Sequence, residues 1–253
     1  MSKLLRLLGG ATLAAMIAWP VVAAEAIKPA AREWSFNGIF GTFDRAKAQR
    51  GYAVYKQVCA SCHGVKYLAF RNLTAIGFTE AEAKALAAEA QITDGPNEEG
   101  EMFQRPGRPS DRLPMPYAND AAARAANGGA LPPDLSLITK AREHGPDYVY
   151  ALLTSYSDAP RGMTLPAGMT YNKAFAGNQI AMPAPLTEGQ VEYIDGTKAT
   201  VAQMAEDVVV FLHWAAEPNL EARHRLGFQA VLFLLALTVL FWFVKQRVWG
   251  DQH

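Results

Sequence analysis

The sequence predicts a mainly α domain with long loops, followed by one C-terminal transmembrane helix. Three observations carry this. Residues 226–244 form a run of 19 residues without a charge. Upstream, apolar residues recur at helical spacing, most clearly over 200–216. Gly- and Pro-rich stretches separate the helical segments, and no strand-like run of any length competes with them.

The uncharged run spans roughly 28 Å at 1.5 Å per residue, close to the hydrocarbon thickness of a bilayer. Arg223 and Arg225 precede it, and Lys245 and Arg247 follow it. Trp242 and Trp249 lie near its end, where an interfacial aromatic belt sits. A core helix is rarely apolar on every face for that length. At the other terminus, residues 1–24 begin with Lys3 and Arg6, continue apolar, and end Val22-Ala23-Ala24 before Glu25. That is the pattern of a cleaved bacterial export signal. The expected organisation is therefore a signal peptide at 1–24, an exported domain at 25–220, and an anchor at 221–253 with a short cytoplasmic tail. The protein is placed as a single-pass protein of the bacterial inner membrane, its domain in the periplasm and its C-terminus in the cytoplasm.

Within the exported domain, 44–57 reads as a helix with Asp44 as N-cap and Ala48, Tyr52 and Tyr55 at helical spacing. Residues 80–90 are rich in Ala and Glu behind the cap residue Thr79. Residues 94–116 hold Gly, Pro and charge and read as a long irregular loop. A short helix over 120–126 ends at Asn127-Gly128-Gly129. Another runs over 146–156 with Pro146 in its first turn. Over 200–216, Val201, Met204, Val208, Phe211, Leu212 and Ala215 form one stripe, and Pro218 stops the helix. Long loops cannot hold a core alone, so something else must fill the middle.

Composition excludes several classes. Lys plus Arg (24) balances Asp plus Glu (24), which argues against a nucleic-acid partner. The two cysteines, Cys59 and Cys62, rule out a disulfide-dense scaffold and a four-cysteine zinc site. Charge is unevenly placed, however. Residues 80–101 carry seven acids and one base, Lys84.

The chemistry lies at Cys59-Ala60-Ser61-Cys62-His63, the attachment pattern of a c-type haem. Two thiols add across two haem vinyl groups to form thioethers. Residues three apart share a helical face, so both sulfurs reach one porphyrin edge. His63 then meets the iron as proximal ligand. A thioredoxin-like pair would need a βαβ context and no histidine. For the sixth ligand, Met115, Met163, Met169 and Met182 lie in loops. Met182 is best placed, between Gly177-Asn178-Gln179-Ile180-Ala181 and Pro183-Ala184-Pro185, with Met163 and Met169 as alternatives. His213 and His224 read as packed or solvated. Met/His ligation fills both axial positions and favours electron transfer over oxygen binding.

Arg50-Gly51-Tyr52-Ala53-Val54-Tyr55-Lys56-Gln57-Val58-Cys59-Ala60-Ser61-Cys62-His63 resembles the haem segment of the cytochrome c1 family, the haem c subunit of the cytochrome bc1 complex (ubiquinol:cytochrome c reductase). Further stretches agree. They are Asp94-Gly95-Pro96-Asn97-Glu98-Glu99-Gly100-Glu101, then Ala123 through Ser136, then Phe211-Leu212-His213-Trp214-Ala215-Ala216-Glu217-Pro218 and the anchor. The resemblance covers nearly all of the chain after the leader. It implies a cytochrome c-like α fold, one covalently attached haem c, and His63 and Met182 as axial ligands. It implies Arg142 beside a haem propionate, with Arg124 as the rival, and Asn127, Pro132 and Tyr148 in the pocket. It implies close crossing of the first and last helices of the domain, with Gly51 admitting the approach.

The function implied is a one-electron relay from a Rieske iron–sulfur protein to a soluble or tethered cytochrome c, beside cytochrome b. No substrate bond changes on this chain, so it carries no catalytic residue. It is a subunit of the oxidoreductase rather than an enzyme on its own. The alternative is a free-standing, membrane-tethered cytochrome c shuttle. The acidic 80–101 stretch would steer a basic cytochrome c.

Overall fold

A computed structural model of the protein describes residues 27–250. The expected signal peptide lies outside the described residues, as does the end of the tail. Helix α1 (Arg45–Gln57) opens on Asp44, whose carboxylate accepts from the Lys47 amide at 3.1 Å. Helix α2 (Glu80–Ala88) opens on a full capping box. Thr79 accepts from the Glu82 amide, and Glu82 accepts from the Thr79 amide at 2.7 Å. Helix α3 (Asp120–Ala126) is capped by Asn119. A four-residue helix α4 (Ile138–Ala141) and helix α5 (Gly145–Thr154) follow. Helix α6 (Val201–Ala216) is capped by Thr200, and α7 (Leu220–Trp249) ends the described chain.

The core forms where α1 crosses α6. On α1, Ala48, Gly51, Tyr52, Val54 and Tyr55 are buried; on α6 burial is nearly continuous from Met204 to Leu212. Phe211 is the hub, with ring centroids 5.7 Å from Tyr52, 5.6 Å from Tyr55 and 5.9 Å from Trp214. A methyl group on Gly51 would lie 2.0 Å from the Asp207 carbonyl oxygen. Only a residue without a side chain permits that approach. The expected crossing is thus present, and Gly51 is its contact point. Helices α4 and α5 pack on α6 as well.

One polar device inside this crossing has no counterpart in the apolar pattern. Asp207 is fully buried. Arg50 grips it with Nε at 2.9 Å and Nη2 at 3.1 Å, and Gln203 donates to Oδ1 at 3.0 Å. The third Arg50 nitrogen reaches Asp195 at 2.8 Å. A carboxylate so deeply placed requires a bidentate partner.

The structure departs from the sequence reading at residues 94–116. Strands β1 (Gln91–Asp94) and β2 (Phe103–Pro106) pair antiparallel, Asp94 opposite Phe103. Asn97 closes the hairpin, its side-chain oxygen accepting from the Glu99 and Glu101 amides at 3.1 and 2.8 Å. Strands this short and this polar show no hydrophobic alternation, which is why pattern missed them. A second small hairpin, β3 (Thr170–Tyr171) with β4 (Gln179–Ile180), sits in the region that reads as irregular.

Helix α7 is longer than the uncharged run, 30 residues or about 45 Å. Its apolar window is unburied, and among the described residues it is the one helix long and apolar enough to cross a membrane. Leu220 packs into the head. Glu221 accepts from the Phe43 amide at 2.8 Å and from Arg45 at 2.7 Å, joining the start of α7 to the start of α1. Thr238 returns its hydroxyl to the Leu234 carbonyl at 2.7 Å.

Candidate functional site

The attachment segment is a continuation of α1. Directly after Val58 the chain tightens into a 3₁₀ turn, Cys59–Ser61. The amides of Cys62 and His63 both donate to the Cys59 carbonyl, at 3.1 and 2.8 Å. Cys59 and Cys62 therefore stand on one tight turn as free thiols. Burial pushes the Cys59 thiol up to about 12, and the neighbouring Cys62 adds to the rise.

His63 is set by one contact. Its Nδ1 lies 2.7 Å from the Pro133 carbonyl oxygen. A carbonyl only accepts, so Nδ1 carries the proton and Nε2 keeps its lone pair. Burial lowers the affinity of this ring for a second proton, against the opposing pull of the Pro133 carbonyl. The result is a neutral imidazole of fixed tautomer, the form that ligates a metal.

The loop that supplies the carbonyl is itself laced to the attachment segment. The Leu135 amide donates to Gly64 O at 2.8 Å. Asp134 accepts from the Lys66 amide, and Ser136 Oγ accepts from the Tyr67 amide at 3.2 Å. Tyr55 OH donates to His63 O at 3.3 Å. Sequence reading selected Pro132, which is half-buried in this loop; the contact to His63 comes from the next residue. A main-chain carbonyl leaves no signature in residue type.

Met182 is presented by a separate element. The β3–β4 turn passes through Gly177 and Asn178, both at positive φ (74° and 59°). Asn tolerates that conformation better than other side chains. The Asn178 carbonyl accepts from the Asn172 amide at 3.1 Å, and its side chain donates to Lys173 O at 3.1 Å. Asn172 is fully buried and donates to Leu152 O at 2.8 Å. Just beyond β4, Tyr156 OH donates to Met182 O at 3.1 Å. The main chain at half-buried Met182 is thus clamped from α5's exit. Of the rival methionines, Met169 is exposed. Met115 packs on the attachment segment itself: a methyl on Gly64 would meet its sulfur at 2.2 Å.

Arg142 and Pro133 line one groove of about 230 Å³ together with Lys66, Tyr67, Asp134 and Leu137. Burial pushes the Tyr148 phenol up, against the opposing pull of the Arg142 guanidinium. Arg124 Nη1 donates to Gly129 O at 3.1 Å, at the end of α3. Asn127 caps α3, donating to Ala123 O at 2.7 Å and to Tyr117 OH at 3.0 Å. His213 is packed, its ring 4.2 Å from Phe36 and its Nδ1 3.1 Å from Thr139 Oγ1.

The acidic stretch sorts itself by pairing. Glu89 holds Lys56, Asp94 holds Arg105, and Glu82 caps α2. Glu80 in the first turn of α2, and Glu98, Glu99 and Glu101 at the β1–β2 tip, are exposed and without an ion pair among the described residues.

A mainly α domain with long loops, two free thiols on one turn and a tautomer-locked histidine, carried on a long apolar helix, defines a cytochrome c-like haem protein of electron transport. The model of the Cytochrome C1 family matches residues 34–252, and the chain belongs to that family. It is 52% identical over 248 residues to the cytochrome b/c1 of Bradyrhizobium diazoefficiens, covering 89% of this chain but only 36% of that protein. It is 56% identical over 207 residues to "cytochrome c1 1, heme protein, mitochondrial" of Arabidopsis thaliana, covering 82% of this chain and 67% of the relative. With cytochrome c1 of Rhodospirillum rubrum it shares 48% identity over 236 residues, 87% of each.

Proposed function

We propose that this chain relays single electrons from a Rieske iron–sulfur protein to a soluble or tethered cytochrome c, as the haem c subunit of a cytochrome bc1 complex beside cytochrome b. The contact that carries the reading is His63 Nδ1 to Pro133 O at 2.7 Å. It leaves Nε2 as a metal donor, next to two free thiols spaced for thioether formation. A haem iron bound there supplies the one-electron redox centre.

The chain's own residues do the rest. Cys59 and Cys62 would hold the group covalently. His63, its ring held by Pro133, and Met182, its main chain clamped by Tyr156, would be the two iron ligands. Met182 is carried just beyond β4, away in sequence from the Cys59–His63 segment on which Met115 packs. Arg142, in the groove that Pro133 lines, would pair with a propionate, and Tyr148 on α5 would belong to the same pocket. Pro132 stiffens the loop that carries Pro133, and Asn127 holds the end of α3 near that loop. On this reading no substrate bond changes on the chain, which acts as a carrier within an oxidoreductase.

Helix α7 anchors the head, with the head on the periplasmic side and the C-terminus in the cytoplasm. Glu98, Glu99 and Glu101 at the hairpin tip give a basic cytochrome c an electrostatic target.

Met182→Leu tests the ligand assignment. A thioether ligand raises the potential, so the variant should show a lower reduction potential and slower electron transfer to cytochrome c. A native potential and native spectrum would assign the iron's sixth position to another residue. Purification in gentle detergent tests the setting: cytochrome b and a Rieske protein should accompany the chain.

A further inference from the structure

Ile39 and Phe40 are 72% and 69% exposed, yet the turn that carries them is firmly held. Trp34, Phe36 and Phe43 on either side are buried. The turn is closed by Gly41 N to Gly38 O at 3.2 Å and Thr42 N to Ser35 O at 2.9 Å. A methyl on Gly41 would strike the Phe36 carbonyl at 2.2 Å. Two adjacent large apolar side chains on a rigid turn point to a surface that covers them.

The position of the turn says what that surface is. His224 on α7 has Nδ1 3.3 Å from Gly41 O, and Glu221 takes the Phe43 amide at 2.8 Å. Phe40 lies edge-on to Phe228 with centroids 5.6 Å apart. Phe228 is three residues, or ~4.5 Å of helix rise, past Arg225, the last charge before the uncharged run. The turn is therefore fixed to α7 at the level where charge gives way to apolar surface. Its apolar tip continues the exposed surface of α7 sideways, and exposed Arg223 and Arg225 sit just above, where anionic headgroups lie.

We propose that residues 38–41 are a lipid-inserting wedge: Ile39 and Phe40 enter the bilayer boundary beside the first turn of the span and fix the height of the head above the membrane. The proposal rests on the reading of α7 as membrane-spanning. It assigns the head a second membrane contact, close to α7 but made by a different part of the chain.

The test is photo-crosslinking in membranes with the full chain. Phe40→p-benzoylphenylalanine is the probe. Leu232→p-benzoylphenylalanine and Leu234→p-benzoylphenylalanine, on opposite faces of α7, report the span, and Tyr67→p-benzoylphenylalanine reports an exposed site on the head. After irradiation the position-40 peptide should gain the mass of a phospholipid, as should a span position, while position 67 should not. If a span position labels lipid but position 40 labels a polypeptide, the turn docks a protein and the wedge is overturned. If position 40 labels neither, the turn faces water and the wedge is equally overturned. If neither span position labels lipid, the spanning reading itself fails and takes the wedge with it.

Discussion

Gly51 on α1 and Asp207 on α6 mark the closest approach of two helices: a Cβ on Gly51 would stand 2.0 Å from the Asp207 carbonyl oxygen. Because α1 runs straight into Cys59, any displacement of this crossing moves the Cys59–Cys62 turn. Gly51→Ala should destabilise the fold by about 1–3 kcal/mol, the usual range for overpacking. The expected readout is a lower midpoint in urea denaturation of the holoprotein. An unchanged midpoint would mean that the two helices have room to separate.

The Asp207 side chain makes a second prediction. Its carboxylate is buried and gripped by Arg50 at 2.9 and 3.1 Å. Arg50→Met leaves that charge without its partner and should cost about 3–5 kcal/mol. Replacing both, Arg50→Met with Asp207→Leu, should recover much of the loss. A double-mutant cycle in urea separates the coupling from the general effect of substitution.

His213 gives a pH dependence with a definite sign. Burial pushes its imidazole down to about 4. Between that value and about 6.5, the ordinary range for histidine, the unfolded chain binds the proton more readily than the folded one. Stability therefore falls as pH drops through this window and is fully lost from this source below it. The expected loss is on the order of 1–3 kcal/mol. Asp111 and Asp195 are held down to about 2 by Arg105 and by the Thr197 amide with Arg50. Their contribution fades only at lower pH. His213→Leu should flatten the slope between pH 4 and 6.5; an unchanged slope would place the titration elsewhere.

The hairpin tip is tested by rate rather than stability. Neutralising Glu98, Glu99 and Glu101 to Gln should slow reduction of a basic cytochrome c by roughly tenfold at low ionic strength. The difference should vanish in high salt as screening removes the steering field. Equal rates and an equal salt dependence for both proteins would discard the tip as a docking element.

What could be read in advance follows from where each signal is stored. The Cys59–His63 motif is legible because the covalent chemistry it proposes demands side chains at fixed local spacing. Helices α1 and α2 are legible because Asp44 and Thr79 cap them in sequence as they do in space, and α6 because its apolar stripe runs unbroken to Pro218. The crossing at Gly51 was reached only through family resemblance, since a lone glycine in a helix carries no address. Three features escaped. The β1–β2 hairpin has polar strands of four residues each. The Pro133 carbonyl acts through main chain, which every residue possesses. Asp207 hides in an apolar stripe, and its partner lies 157 residues away.

The most direct measurement is a pyridine haemochrome spectrum of the purified chain after acid-acetone extraction, beside Cys59→Ser and Cys62→Ser. Thioether-linked haem should stay with the polypeptide in the wild type, and each single variant should show the shifted spectrum of one remaining vinyl group or lose the haem. Complete extraction of haem from the wild-type protein, or no haem at all, would contradict covalent attachment at this turn and the relay built on it.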